Sequence, residues 1–481
     1  MPSSFAIPRL PDDPTTDSII AKRYPAKAHA RRVASLLNSA NGTIYLEAGP
    51  IWEHEDSDSE APFRQRRAFY YLSGCPLSDS FLTYDIAKDH LTLYIPPIDP
   101  ESVLWSGLPT SIDQAKDQFE VDEVLHTTAS PRLSEGKVYI YAERQVSRPL
   151  GSSGGVDKDH LKPAIDEARV VKDEYEIALM TQAIRISSLA HNTILRESSK
   201  FQTERDAQAV FEAVCLANGA MGQAYLGIYA AGRTAATLHY TKNDASLSIA
   251  RTPSGGTEKP QLLLCDAGAE FRSYGADITR VVPLGPGGTF TTEAEQIYSL
   301  VLDMQRKCID AIRPGVHWES VHLLAHKILI SGFLKLGIFR STYSTESILE
   351  ARTSCAFLPH GLGHWLGLDT HDTGGCPNYK DPDPMFKRLR VRRELVEGAV
   401  VTVEPGIYFC KFIIDRWLNG EEKGTSELHR AIVDEAVLER YWSVGGVRIE
   451  DDILVTKDGT KNLSADAVKE LPEVYALAKG D

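Results

Sequence analysis

Four acidic residues sit at the ends of apolar, strand-like runs that ought to be core. Leu262-Leu263-Leu264-Cys265 runs into Asp266, and Asp277 opens Ile278-Thr279-Arg280-Val281-Val282. Val400-Val401-Thr402-Val403 ends in Glu404, and Gly446-Val447-Arg448-Ile449 ends in Glu450. Acidic residues are disfavoured in strands, and an ionised carboxylate buried without a partner is very costly. A single case is most simply a strand end that reaches solvent, and an arginine would serve for some of them. Four together call for one common compensation, and a metal cluster supplies it.

The histidines point the same way. Pro359 to Asp372 holds His360, His364 and His371 among Gly361, Gly363 and Gly367, which leave room for backbone or ligand to approach. The stretch is not HExxH, and its glycines miss the GxGxxG spacing. One imidazole with four carboxylates makes an oxygen-rich set that suits Mn²⁺ or Co²⁺ better than a thiolate zinc site. Four carboxylate charges balance two divalent ions. Such a pair, about 3.5–4 Å apart, can polarise a carbonyl and acidify a water, which is hydrolytic chemistry.

Composition limits the alternatives. The 481 residues carry 52 basic and 66 acidic side chains, a net charge of −14, which argues against a nucleic-acid or anionic-membrane binder. No run approaches the ~18–20 apolar residues of a membrane span. Met1–Tyr24 is rich in Pro, Ser and Asp and lacks an apolar signal core, and the seven cysteines are odd in number and scattered. Free thiols in the cytoplasm are expected. The fold class expected is α/β (α+β), in two parts. Residues 1–160 form a mixed-sheet domain, with strands at Gly42–Leu46, Phe69–Leu72, Phe81–Tyr84, Leu91–Ile95 and Lys137–Ala142. The Gly/Ser run Leu150–Gly155 is read as a linker, and residues 161–481 follow as the catalytic domain. There, Asp173–Leu195 is patterned as a helix, and Thr292 with Glu295 reads as a capping box opening another.

Together, Cys265-Asp266-Ala267-Gly268, Ala276-Asp277-Ile278-Thr279-Arg280, His360–Asp372, Thr402-Val403-Glu404-Pro405-Gly406-Ile407-Tyr408 and Gly446–Asp452 resemble the pita-bread metallopeptidases. Within that family the chain is most similar to the Xaa-Pro aminopeptidases and the eukaryotic-type proline dipeptidases (prolidases). The resemblance implies a pita-bread catalytic domain behind a smaller N-terminal α/β domain, and hydrolysis of Xaa-Pro bonds in dipeptides or in peptides with penultimate proline. It implies Asp266 on one metal, Asp277 and Glu450 on both, and His364 and Glu404 on the other. Glu404 would also shuttle the proton. His239, His360 and His371 match positions that meet the substrate or the tetrahedral intermediate. Arg448, two residues before Glu450 and so on the same strand face, would orient that carboxylate.

Lys387-Arg388-Leu389-Arg390-Val391-Arg392-Arg393 packs five cations into seven positions. On the residues alone it is either a solvated, salt-bridged segment or an anion site. In prolidase-like relatives an arginine fourteen residues before the Glu-Pro-Gly glutamate grips a dipeptide's carboxylate; here that is Arg390. The long interval from Glu404 to Glu450, with Lys411–Trp442 as a possible cover, also leans to dipeptides. Trp105 matches a tryptophan that reaches the site from a neighbouring subunit, so the resemblance implies a homodimer. A non-catalytic binding protein and a metal-free amidinohydrolase on the same fold remain the alternatives; the full set of ligand positions opposes both.

Overall fold

A computed structural model describes residues 6–151, 154–252 and 255–479. Ser152 and Ser153, in the Gly/Ser run read as a linker, lie outside the described residues, as do Met1–Phe5 of the N-terminal segment. The chain forms two compact units. One comprises Asp13–Ala178, and the other comprises Leu179–Asp481 with Met1–Asp12. The division falls inside the helix Glu174–Glu197. The short strand Val156–Asp157 and the helix Leu161–Ala168 belong to the first unit, where Leu161, Ile165 and Ala168 are buried.

The first unit is built on a six-stranded mixed sheet. In chain order the strands are β1 Thr43–Glu47, β2 Phe81–Asp85, β3 His90–Ile95, β4 Glu123–His126, β5 Val138–Ile140 and β6 Val156–Asp157, arranged β4-β3-β2-β1-β5-β6. β1, β2 and β3 pair antiparallel, while β4, β5 and β6 add in parallel. Tyr45, Phe81, Tyr94, Val138 and Ile140 make one core cluster, with Phe81 stacked on Tyr94 at 4.0 Å between ring centroids. Phe69–Leu72, read from the sequence as a strand, is instead part of the fully buried helix Arg67–Ser73. A short aromatic run buried on all sides has no period to separate strand from helix. Its stop signal was Gly74, which caps the helix at φ 67° and has no room for a Cβ, since one would lie 2.5 Å from the Tyr24 ring.

The second unit places its strands so that the acidic ends meet. β7 Ile228–Ala231, β8 Leu262–Asp266 and β9 Thr279–Pro283 form an antiparallel sheet in the order β9-β8-β7, with Asp266 opposite Thr279. β10 Val400–Val403 pairs with β13 Asp451–Thr456, and β11 Gly406–Tyr408 pairs with β12 Gly446–Arg448. The amide of Glu450 donates to the Thr279 carbonyl at 3.2 Å, tying the first of these sheets to the segment between β12 and β13. The helices Thr292–Asp310 and Trp318–Leu336 pack against each other. The first is capped by Thr291, whose hydroxyl accepts from the Ala294 amide at 3.3 Å, not by the expected box at Thr292. Glu295, the carboxylate expected to close that box, accepts from Tyr475 instead.

The histidine stretch has no regular secondary structure, but it runs beside β10. Thr402 N–H donates to His364 O at 2.9 Å, Glu404 N–H to Leu362 O at 2.8 Å and Leu366 N–H to Val400 O at 3.0 Å. Gly363 permits this approach, because a Cβ there would stand 1.9 Å from the Thr402 carbonyl oxygen. Gly363→Ala is therefore expected to cost about 1–3 kcal/mol or more by overpacking. A thermal melt indistinguishable from wild type would contradict this reading of the contact.

Candidate metal centre

The strand ends deliver Asp266, Asp277, Glu450 and Glu404, and the β10-flanking segment delivers His364. Asp266, Asp277, Glu450 and His364 are buried. Ligand atoms of Asp277, His364 and Glu450 all lie within 4.8 Å of one another. The imidazole is oriented by its own chain: Nδ1 of His364 donates to the Trp365 carbonyl at 3.0 Å. Burial lowers the His364 pKa to about 4, so the ring is neutral and Nε2 carries a lone pair. That lone pair faces Asp277 Oδ2 at 3.4 Å and Glu404 Oε1 at 3.5 Å. These separations are long for hydrogen bonds. A lone pair set against two carboxylate oxygens is a cradle for a cation, so the donor set fits divalent metal.

The carboxylates themselves argue for the same charge. Burial raises the pKa of Asp266, Asp277, Glu404 and Glu450, and acidic neighbours add to the rise at Asp266, Glu404 and Glu450. Arg448 opposes it. Its guanidinium is buried and engaged on all three nitrogens: NH2 pairs with Asp266, Nε donates to Thr279 Oγ1 at 3.0 Å, and NH1 donates to Tyr408 at 2.8 Å. The Thr279 hydroxyl in turn donates to Glu450 Oε2 at 2.7 Å. Arg448 thus acts on Asp266 directly and on Glu450 chiefly through Thr279.

Three residues at the site were not singled out in the sequence. Tyr225 places its hydroxyl 2.5 Å from Asp266 Oδ1 and 2.6 Å from Asp277 Oδ1, and nothing in Gln223-Ala224-Tyr225-Leu226 signals it. Tyr408 lies within a quoted motif, yet its partners come from elsewhere in the chain. His360 Nδ1 donates to its neighbour's carbonyl, Gly361 O, at 2.7 Å. Burial lowers the His360 pKa to about 3, so Nε2 accepts from the Tyr408 hydroxyl at 2.8 Å. Asp452, also buried, accepts the Asp277 amide at 3.1 Å and so fixes the backbone of that residue.

The other expected residues stand apart from this buried set in different ways. His371 stands edge-on to His364, with ring centroids 4.5 Å apart. Although the residue is exposed, partial burial of the imidazole, and then the charges of His364, Arg390 and His239, lower its pKa. His239 occupies an exposed turn. Within the basic run, Arg392 is neutralised by Glu319 and Asp381. Arg390 is different: among the described residues it has no ion pair, only a long contact to the Tyr379 hydroxyl at 3.4 Å. Its charge is felt at His364, His371 and Glu404. Trp105 lies in the other unit, on the helix Pro100–Ser106, and is 85% exposed. The Lys411–Trp442 insertion folds as the short helices Lys411–Leu418, Ser426–Ile432 and Glu435–Leu438 followed by a 3₁₀ segment.

Comparison with known proteins gives a consistent picture. Residues 178–457 match the model of metallopeptidase family M24, and residues 29–137 match the aminopeptidase P N-terminal domain. A protein of Tuber melanosporum named "Probable Xaa-Pro aminopeptidase" is 50% identical over 478 residues, covering 98% of this chain and 100% of its own. The "Probable Xaa-Pro aminopeptidase pepP" of Aspergillus niger is 52% identical over 478 residues, covering 96% and 99%. Among solved structures, aminopeptidase P from E. coli with the inhibitor Pro-Leu superposes with a TM-score of 0.75 at 26% identity, covering 95% of this chain and 99% of that one. Pseudomonas aeruginosa aminopeptidase PepP gives 0.73 at 28%, covering 95% and 98%.

Two outcomes follow from the geometry. Asp277→Ala is expected to lower bound metal in the purified protein and to weaken Mn²⁺ affinity by more than about 100-fold; unchanged stoichiometry by elemental analysis would reject the cluster. The second concerns protons. The raised carboxylate pKa values mean that these four groups hold more protons in the metal-free fold than in the unfolded chain above the ordinary carboxylate range, near pH 4. Their contribution to stability therefore falls as pH rises from there, opposed below about pH 6.5 by buried histidines such as His360 and His364 that stay neutral, and metal binding near neutral pH should release protons. Calorimetric titration in two buffers of different ionisation enthalpy reads this release, and zero release would contradict it.

Proposed function

The chain belongs to metallopeptidase family M24, and on that premise we propose that it is an Xaa-Pro aminopeptidase or prolidase. It would release the residue that precedes proline from dipeptides or from peptides with penultimate proline. The observation that carries this reading is the neutral His364 Nε2 facing Asp277 and Glu404, within a buried set that also holds Asp266 and Glu450. In the proposal, Asp266 holds one divalent ion, His364 and Glu404 hold a second, and Asp277 and Glu450 contact both. Mn²⁺ is the preferred ion and Co²⁺ a workable one. Bound there, the ions supply Lewis acidity and a more acidic water.

The remaining chemistry belongs to the chain. The bond to proline has no N–H, so the leaving nitrogen must receive a proton. Glu404, which faces His364 Nε2 across the site, would take the proton of the attacking water and return it to that nitrogen. His371 is proposed to stabilise the developing oxyanion, and His360, whose two nitrogens are engaged by Gly361 O and the Tyr408 hydroxyl, would join it only by exchanging the Tyr408 bond. His239, on its exposed turn, is proposed to meet the substrate. Arg448 serves it indirectly, by holding Asp266, Thr279 and Tyr408 in place. The homodimer, with Trp105 supplied by the second copy, and the cytoplasmic location are parts of the same proposal. No helix among the described residues is long and apolar enough to cross a membrane.

Substrate length is the finer question. Arg390, without an ion pair among the described residues in a basic run whose Arg392 is neutralised, suits a planar carboxylate and favours dipeptides. The names of the fungal relatives favour aminopeptidase action on longer peptides. Protein stripped and reloaded with Mn²⁺, assayed on an Xaa-Pro dipeptide and an Xaa-Pro-Yaa tripeptide, separates the two. The proposal expects hydrolysis of both, with the dipeptide preferred and Arg390→Ala raising its KM about 10-fold or more, as for a lost charge-assisted contact. Preference for the tripeptide would overturn the dipeptide assignment, and hydrolysis of neither would overturn the enzymatic one.

A further inference from the structure

We propose that Gln305 is a positioning residue of the metal centre, one side-chain amide that sets the spacing of Glu404 and Glu450. The inference rests on the ligand assignment above. Gln305 lies on the helix Thr292–Asp310 and is fully buried. Its Nε2 donates to Ile449 O at 3.1 Å and to Val403 O at 3.3 Å. These two carbonyls belong to the peptide units that lead into Glu450 and Glu404, 46 residues apart in the chain. One NH₂ group therefore holds both peptide planes from a third element, the helix.

The orientation of that amide is itself fixed. Lys469 Nζ donates to Gln305 Oε1 at 2.7 Å, and an ammonium can only donate, so the oxygen must face Lys469 and the NH₂ must face the two carbonyls. Lys469 is anchored by an ion pair with buried Asp451, which also pairs with Arg280. Arg280 completes the frame by donating to Glu450 O at 2.6 Å and Thr279 O at 2.9 Å. The backbone on either side of Glu450 is thus held by two groups, the Gln305 amide at Ile449 O and the Arg280 guanidinium at Glu450 O.

The chemistry explains the residue type. Two donors on one side and an acceptor on the other is the pattern of a carboxamide. A glutamate would still satisfy Lys469 but would turn an anionic oxygen on two carbonyl oxygens. A methionine of similar length would withdraw the donor from both carbonyls and leave the ammonium only its pair with Asp451. Neither change touches a metal ligand, and in the methionine variant, which adds no charge, any effect on metal affinity must pass through the position of Glu404 and Glu450. Outer partners of this kind are worth about 10–100-fold in metal affinity.

The test uses full-length protein stripped of metal and titrated with Mn²⁺, following free Mn²⁺ by its electron paramagnetic resonance signal, with a thermal melt of each metal-free variant alongside. Gln305→Glu is expected to weaken Mn²⁺ binding at least 10-fold, and Gln305→Met to weaken it as well. A purely structural role would lower the metal-free melting temperature and leave Mn²⁺ affinity at the wild-type value; that result in folded variants overturns the proposal. Should both Gln305 variants fail to fold, Lys469→Met frees the amide to turn without changing its volume. Weaker Mn²⁺ binding in that variant supports the proposal, and wild-type affinity overturns it. Failure of the underlying ligand assignment looks different: Asp277→Ala would then bind Mn²⁺ as the wild type does.

Discussion

Mutual repulsion among buried carboxylates governs this molecule. Asp266, Asp277, Glu404 and Glu450 meet in a largely buried site, and Arg448 is in direct reach of the group. An apolar interior tolerates such a set only where protons or cations neutralise it. Much of the second unit can be understood as scaffolding for this one unfavourable encounter. Antiparallel pairing sets Asp266 against Thr279, and the helix Thr292–Asp310 braces the strand ends that carry the glutamates. Closely packed glycine lets the histidine segment lie against β10.

Metal alone would leave the ligands free to rearrange, and the structure limits that freedom with hydrogen bonds of fixed polarity. His364 is oriented through Nδ1 by a backbone carbonyl, so that only Nε2 can face the acids. Tyr408 links Arg448 to His360, with the guanidinium donating to the phenol and the phenol donating to the imidazole. Asp452 pins the amide of Asp277. In each case a group that can only donate or only accept decides which atom of its partner points inward. That is how a site of several flexible side chains acquires one geometry.

The sequence revealed the four carboxylates because they break a rule, acids at the ends of apolar strands, while the family resemblance singled out His364 among three histidines amid close-set glycines. The charged run alone left an anion site open, the resemblance picked Arg390 from it, and ion pairing in the fold then distinguished it from Arg392. Tyr225, Asp452 and Gln305 break no such rule. A tyrosine in a loop, a second aspartate after Asp451 and a glutamine in an amphipathic helix all have ordinary surface explanations, and their partners lie 41 to 175 residues away in the chain. Local pattern also misjudged Phe69–Leu72, because full burial erases the alternation that marks a strand, and it set the helix cap one residue late, at Thr292 rather than Thr291. Where the physics was local the chain was readable; where it depended on which strand ends meet, only the fold supplies the answer.

The central claim is that the four carboxylates and His364 exist to hold two divalent ions. Anomalous diffraction from crystals of Mn²⁺-loaded protein tests it most directly. The account predicts two anomalous peaks, both in contact with Asp277 and Glu450, one also touching Asp266 and the other His364 and Glu404. A single peak, or peaks that leave Asp277 and Glu450 without metal, would contradict it.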